Sequence, residues 1–380
     1  MVNDNGTMKK MTAALFVLML AVTAVLIIPI GDDSSAAGKI TVTDGRGTSV
    51  TFDEVASHVV TCGKGPTATV IQLGQLDKIV VCDSYSKTGT EDVFKDLKTK
   101  ISEGKIKADG NVYSSGLAAF KTNVVDSADT EKGGTFDKEK DVIILTASKA
   151  NNTSLYDYFT ELGFKKILIW DSITEYEQII DFARSVSKVL TESVADQVKS
   201  MELVQDKVKN TLASEKVEVK TKAIYIRMSS SNFALGNTES LTTSMIDVAG
   251  GNNLGIDASK AKPTYTVSKS ELVSMRENNG TDKIVVFLDT TVKEDNLNAI
   301  KEAMGTEYTE YVPLDGLWNN YSIDSKDGVW TMACAMYPDL FSGDVPKVDS
   351  EKENIIVYVA VGGGAALAVL ILAVFMLRRN

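Results

Sequence analysis

Polar and apolar positions alternate along "KITVTDGRGTSVTF" (39–52), with Asp44-Gly45-Arg46-Gly47 at its centre. A period of two around a Gly-rich turn predicts a β-hairpin. Short apolar runs of strand type follow: "HVVTC" (58–62), "KIVVC" (78–82), "DVIILTAS" (141–148) and "KKILIWD" (165–171). Thr67–Leu76, Glu91–Ile101 and Leu155–Leu162 lie between or beside them and carry helical spacing. Strands separated by helices predict βαβ units and a mainly parallel sheet. Gly104–Thr135 is rich in Gly, Ser and Asp and reads as a strand and a short helix joined by long loops.

From Thr174 to Leu212 there is neither Pro nor Gly, and Ile179, Phe182, Val186, Val189, Leu190, Val194, Val198, Met201, Val204 and Val208 recur at helical spacing. This predicts one long helix, assigned to 174–214, of roughly 55 Å at about 1.5 Å per residue. Its apolar stripe is interrupted and isolated, which favours a helix packed across two lobes over a coiled coil. The α/β pattern then restarts. "KAIYIRM" (222–228), "KIVVFLD" (283–289) and "EYVPL" (310–314) read as strands, and Leu241–Ala249, Lys269–Glu277, Glu294–Met304 and Lys326–Tyr337 as helices. The fold class is α/β: two Rossmann-like lobes, 38–173 and 215–341, joined by one long α-helix. Residues 342–354 form a linker. A ligand is expected between the lobes, at the carboxyl ends of the strands.

Two apolar runs flank this pattern, Met11–Ile30 and Ile355–Leu377. Each has about the ~20 residues that cross a bilayer. Lys9-Lys10 and Arg378-Arg379 lie on their outer sides, so both basic ends are expected in the cytoplasm and the chain between them outside. The first run reads as a secretory signal ending at Ser35-Ala36-Ala37, with an uncleaved anchor as the alternative. The second reads as a transmembrane helix. No Cys follows the first run, so a bacterial-type lipid anchor is not available, and anchoring by a C-terminal span fits an archaeon.

Charge and composition remove several functions. The formal net charge of −11 argues against nucleic acid as a partner. The single histidine, His58, excludes a three-His zinc site, and it begins its strand, away from the mouth. There is no G-x-S-x-G, no H-E-x-x-H and no P-loop, so neither an enzyme nor a bound cofactor is expected. Three cysteines do not make a disulfide framework. Cys62 and Cys82 end neighbouring strands, but a bridge between adjacent strands is uncommon. Asn152-Thr153-Ser154, Asn279-Gly280-Thr281 and Asn320-Tyr321-Ser322 fit the N-glycosylation pattern, a weak sign of exposure.

The residues "ITVTDGRGTSVTF…HVVTCGKGPTATVIQLGQLDKIVVCD" resemble the start of the substrate-binding proteins of iron-chelate and corrinoid importers. "DVIILTAS" is similar to that family's "PDVVI" strand, and "MIDVAGGNNLGID" to its Ala-Gly-Gly-Glu-Asn segment. "LWNNYSIDSKDGVWTMACAMYPDLF" resembles its final segment. The likeness covers nearly all of 39–341. It implies two lobes with a rigid linking helix, a metal chelate such as a ferric siderophore, haem or corrinoid as ligand, and an ABC permease and ATPase as partners. The family's docking Glu has no counterpart in Thr67–Gly74, which leaves open a ligand-sensing or adhesive surface protein without an importer. Residues at strand ends facing the cleft are the candidate ligand contacts: Lys64, Ser84, Tyr85, Tyr113, Lys149, Arg227, Ser229, Trp318, Asn319 and Tyr321. Arg and Lys would pair with anionic chelates, and aromatic faces with planar ones.

Overall fold

The hairpin forms as its alternation requires: β1 (Ile40–Thr43) pairs antiparallel with β2 (Ser49–Phe52). The computed structural model describes residues 38–112 and 116–348. Asp44 sets the turn, accepting the backbone N–H groups of Arg46 and Thr48, each at 2.9 Å.

The first lobe is a four-stranded parallel sheet in the order β4-β3-β5-β6: β3 is Val59–Thr61, β4 Ile79–Val81, β5 Val142–Leu145 and β6 Lys166–Ile169. β5 reads Val-Ile-Ile-Leu and is buried throughout, because helices cover both faces of a parallel sheet. Those helices are α1 (Lys64–Gln72), α2 (Ser84–Thr88), α3 (Lys95–Ser102), α4 (Leu117–Ser127) and α5 (Lys149–Glu161). Helix α1 starts earlier than the periodicity predicts because Pro66 lies in its first turn, where a missing N–H costs nothing. Glu91–Ile101 divides into a 3-10 turn at Asp92–Phe94 and then α3.

The predicted single linking helix is corrected to two. α6 runs Tyr176–Thr191 and α7 runs Asp196–Ser214. The break needs neither Gly nor Pro. Glu192 takes the left-handed region at φ 68°, and side-chain hydroxyls take over the backbone groups at the turn. Ser187 Oγ accepts the Ala195 N–H at 2.9 Å and donates to the Ser193 carbonyl at 2.8 Å, while Thr191 Oγ1 donates to the same carbonyl at 3.0 Å. The helices fold back on each other, held by Arg184 with Glu202 at 2.6 Å and by the Tyr176 hydroxyl on the Met201 carbonyl at 3.3 Å. Helix α6 lies against lobe one, where Val189 and Leu190 carbonyls meet Ala56 and Lys78. Helix α7 continues into lobe two.

That lobe is a mixed six-stranded sheet: β10-β8-β7-β11-β12, with β9 also beside β7. β7 (Lys222–Ser229), β11 (Ile284–Leu288) and β12 (Thr309–Pro313) are parallel. β9 is Asn252–Asn253. β8 (Asn232–Gly236) and β10 (Thr264–Val267) add an antiparallel edge that the sequence reading did not contain. Its helices are α8 (Leu241–Val248), α9 (Lys269–Glu277), α10 (Glu294–Met304) and α11 (Ser325–Met336). One apolar core runs through both lobes and the α6–α7 hairpin, from Val59 and Leu168 through Ile180 and Met201 to Val285 and Val329. Two smaller cores fill the other faces of the two sheets.

Among the described residues no helix is long and apolar enough to cross a membrane. The runs 11–30 and 355–377 lie outside the described residues.

Candidate functional site

The carboxyl end of β3 passes through Cys62 and Gly63 into α1, and the first turn of α1 meets lobe two. Gly65 makes this approach possible: a Cβ there would stand 2.7 Å from the Tyr321 nitrogen. Thr69 Oγ1 donates to the Tyr321 carbonyl at 3.1 Å, and the Ile323 N–H donates to Gln72 Oε1 at 3.1 Å. The lobes are thus joined along α1 and the loop before α11.

Behind this junction is a closed polar network. Buried Asp83 accepts the Gly63 N–H at 2.7 Å and the Ser86 N–H and hydroxyl at 3.0 and 2.9 Å. Burial raises its pKa, and these donors pull against that rise. Thr61, Thr67 and Ser86 hydroxyls connect to it at 2.8–2.9 Å. Cys62 and Cys82 are free thiols. Burial pushes Cys62 up to about 12, with Thr146 N–H on its sulfur at 3.0 Å, and it raises Cys82 as well. Neither is a thiolate nucleophile at neutral pH.

The predicted residues fall into distinct settings. Lys64 is the first residue of α1 and is held by Glu91 at 2.9 and 3.1 Å. Glu91 in turn reaches lobe two, its Oε1 lying 3.1 Å from where a Cβ on Gly316 would stand. Asn319 is in lobe two behind this contact. It donates to Asp289 at 3.0 Å and bonds the Tyr225 hydroxyl, which itself donates to Asp289. Burial opposes ionisation of Asp289, but the donors Tyr225, Thr291 and Asn319 outweigh it and hold the pKa below the usual range. Burial, with the Asp289 charge adding to it, raises the Tyr225 phenol. Glu91, Asp289 and Tyr225 were missed by the sequence reading. Asp289 ends the predicted strand 283–289, and that position is the one signal that could have found it.

Trp318 is half-buried over α11, with its Cβ 2.8 Å from where a Cβ on Gly328 would stand, so much of the ring is core. Tyr321 is mostly buried, and burial raises its phenol. Ser84 opens α2, its N–H donating to the Gly110 carbonyl at 2.6 Å, and Tyr85 beside it is 45 % exposed. Lys149 is exposed at the start of α5. Arg227 is partly buried near the mouth end of β7, with a 3.4 Å contact to Thr264, and Ser229 closes the β7–β8 hairpin. Tyr113 lies outside the described residues. Lys64 and Tyr321 are therefore brought to the interlobe junction; Trp318 and Asn319 lie in the same loop of lobe two with their contacts inside that lobe, Ser84, Tyr85 and Lys149 sit on loops of lobe one, and Arg227 and Ser229 on lobe two.

His58 lies at the opposite end of the sheet, its Nδ1 2.8 Å from Asp141 Oδ2. Asn152, the first glycosylation candidate, is fully buried. Its amide bonds the Ala147 and Trp170 carbonyls and Asp171 at 3.0–3.2 Å, so it is structural. Among the described residues there is no cluster of His, Cys, Asp and Glu that would hold a bare metal ion. Two cavities lie away from the junction. One of about 470 Å³ lies between β1, Trp170-Asp171 and α6. The other, of about 560 Å³, lies between α6, α8 and Asn252-Asn253.

Solved structures with this arrangement are known. Helicobacter pylori Ceue with Ni(II) bound superposes with a TM-score of 0.57 at 13% identity, over 79% of this chain and 90% of that one. The catecholate-siderophore binding protein VctP of Vibrio cholerae gives 0.54 at 16%, over 78% and 99%. The vitamin B12 binding protein BtuF of Vibrio cholerae gives 0.51 at 15%, over 74% and 97%. The chain has the fold of the periplasmic binding proteins. No family model matches the sequence, and no curated protein does. The periplasmic-binding-protein fold explains why the conspicuous chemistry lies in loops at strand ends: the lobes supply rigid sheets, and the loops between them are free to vary. The structures it resembles are binding proteins, not enzymes.

Proposed function

We propose that this chain is an extracytoplasmic substrate-binding protein that holds a metal chelate between its lobes and passes it to an ABC importer. The observation that carries this reading is the pair of α/β lobes whose strand-end loops converge at the α1–Tyr321 junction. The solved structures that share the fold include binding proteins for a catecholate siderophore, haem and vitamin B12. Lys149 and Arg227 supply positive charge for an anionic chelate. Tyr85 and Tyr113 supply aromatic faces, and Ser84 and Ser229 supply hydroxyls. Lys64, Asn319, Trp318 and Tyr321 form the wall of the junction. The signal segment at 11–30 would direct export of the body, and a span at 355–377 would hold it at the outer face of the cell membrane.

A second reading, a ligand-sensing surface protein without an importer, is favoured by one feature: α1 contains no acidic residue with which to dock on a permease. Thermal-shift screening of residues 38–348 against ferric siderophores, haem and cobalamins tests the chelate. One class should raise the melting temperature by several degrees at micromolar concentration. A panel with no shift, or a shift with bare metal ions alone, would refute the chelate reading.

A further inference from the structure

Lys64 and Glu91 meet where strand-end loops of the two lobes converge. Lys64 begins α1, just beyond β3, and Glu91 immediately precedes the 3-10 turn at Asp92–Phe94. Both Glu91 oxygens hold the Lys64 ammonium, at 2.9 and 3.1 Å. A Cβ on Gly316, in the loop after β12, would stand 3.1 Å from Glu91 Oε1 and 3.7 Å from Thr290 Oγ1. The carboxylate therefore also faces the loops that follow β11 and β12 of lobe two. The Glu91 side chain is 14 % exposed and that of Lys64 29 %, so this is not a solvated surface pair. Burial opposes ionisation of Glu91, but the Lys64 ammonium and the backbone N–H groups of Glu91 and Thr90 outweigh it, and the carboxylate stays charged.

A cation at this place is what an anionic chelate held between the lobes would pair with, yet a carboxylate of the chain already occupies it. A ligand oxygen anion brought to the same ammonium would meet Glu91 at short range, and like charges repel. Without Glu91, Lys64 would be a partly buried charge lacking its partner, which costs stability until another anion takes that place.

We infer that Glu91 is a resident counter-ion for Lys64, exchanged for an anionic oxygen of the ligand when a chelate enters. This rests on the proposed chelate site between the lobes and deepens it: Glu91 sets the charge specificity of the cleft. A chelate with negative charge competes with the carboxylate for the ammonium, and one without net charge leaves the pair in place.

The test titrates the purified full chain, followed by Trp fluorescence, with two anions, ferric tris-catecholate and haem. Two chelates without net charge, ferric tris-hydroxamate and cyanocobalamin, are the comparison. Glu91→Gln keeps the shape of the side chain and removes its charge. It should tighten binding of an anionic chelate by about tenfold or more, the worth of one hydrogen bond to a charged group. Binding of a neutral chelate should stay nearly unchanged. Without ligand the variant should melt at a lower temperature, and the anionic chelate should raise that temperature more than it does in the unmodified chain. Adding Lys64→Gln should abolish the gain in affinity and return the melting temperature toward that of the unmodified chain. If an anionic chelate binds the unmodified chain and Glu91→Gln weakens it or leaves it unchanged, Glu91 is a staple between the lobes; the inference falls and the chelate reading stands. Binding of neutral chelates alone, in chain and variant alike, has the same meaning. If none of the four binds either protein, the chelate reading falls and the inference falls with it.

Discussion

Asp289 keeps its charge in a half-buried place because donors surround it: the Tyr225 hydroxyl, the Asn319 amide and the Thr291 N–H. Its folded pKa is depressed below an unfolded value of about 3.9. The stabilisation is therefore complete above that value and is lost as pH falls through the folded one. Tyr225→Phe should raise the Asp289 pKa, read by carboxyl NMR, and lower stability at pH 7 by about 1.5–3 kcal/mol, the worth of a hydrogen bond to a charged group. The effect should fade as pH falls through the depressed folded pKa of Asp289, and a loss independent of pH would show that only packing had changed. Gly328 makes a second test. Ala is the better helix former by about 1 kcal/mol, but a Cβ there would stand 2.7 Å from Met245 Cε and 2.8 Å from Trp318 Cβ. Met245 can move; the Trp318 Cβ is fixed to its backbone. Overpacking of about 1–3 kcal/mol should win, so Gly328→Ala should lower the urea midpoint, and a raised midpoint would mean Trp318 is a free lid. At this scale the sequence showed residue types but not partners. Lys64 was visible, yet Glu91 is 27 positions away, and only the fold joins them.

Helices with local signals were legible at the scale of elements. Lys269–Glu277 follows a capping box made by Ser268 and Glu271, and Glu294–Met304 ends at Gly305; both bounds were read correctly. Strands β8 and β10 were not, because "NFALG" and "TYTV" are short and lie at a sheet edge, where only pairing defines them. The α6–α7 break was hidden because its signal is Ser187, Thr191 and Ser193 rather than Gly or Pro. Ser187 is fully buried and serves both strands of the turn. Ser187→Ala would leave the Ala195 N–H and the Ser193 carbonyl without that partner, and stability should fall by about 1–3 kcal/mol in urea titration. An unchanged midpoint would show that water replaces the hydroxyl and that another feature makes the break.

The two-lobe arrangement was legible for the whole molecule because strand–helix alternation stops at 174 and restarts at 222, and each half repeats the parallel pattern. What could not be read was how the halves meet: Gly65 against Tyr321, Thr69 on its carbonyl and Gln72 on Ile323 are pairs more than 250 positions apart. These contacts and the continuous core through α6 and α7 favour a small rotation of the lobes on ligand binding over a wide closure. The central claim is that a metal chelate is held by both lobes at once. Hydrogen exchange of residues 38–348, with and without the chelate that gives the largest thermal shift, tests it most directly. Protection should rise together in 62–66, 83–88 and 146–150 of lobe one and in 227–232, 289–292 and 315–322 of lobe two. Protection confined to a single lobe, or to the cavity between β1 and α6, would contradict it.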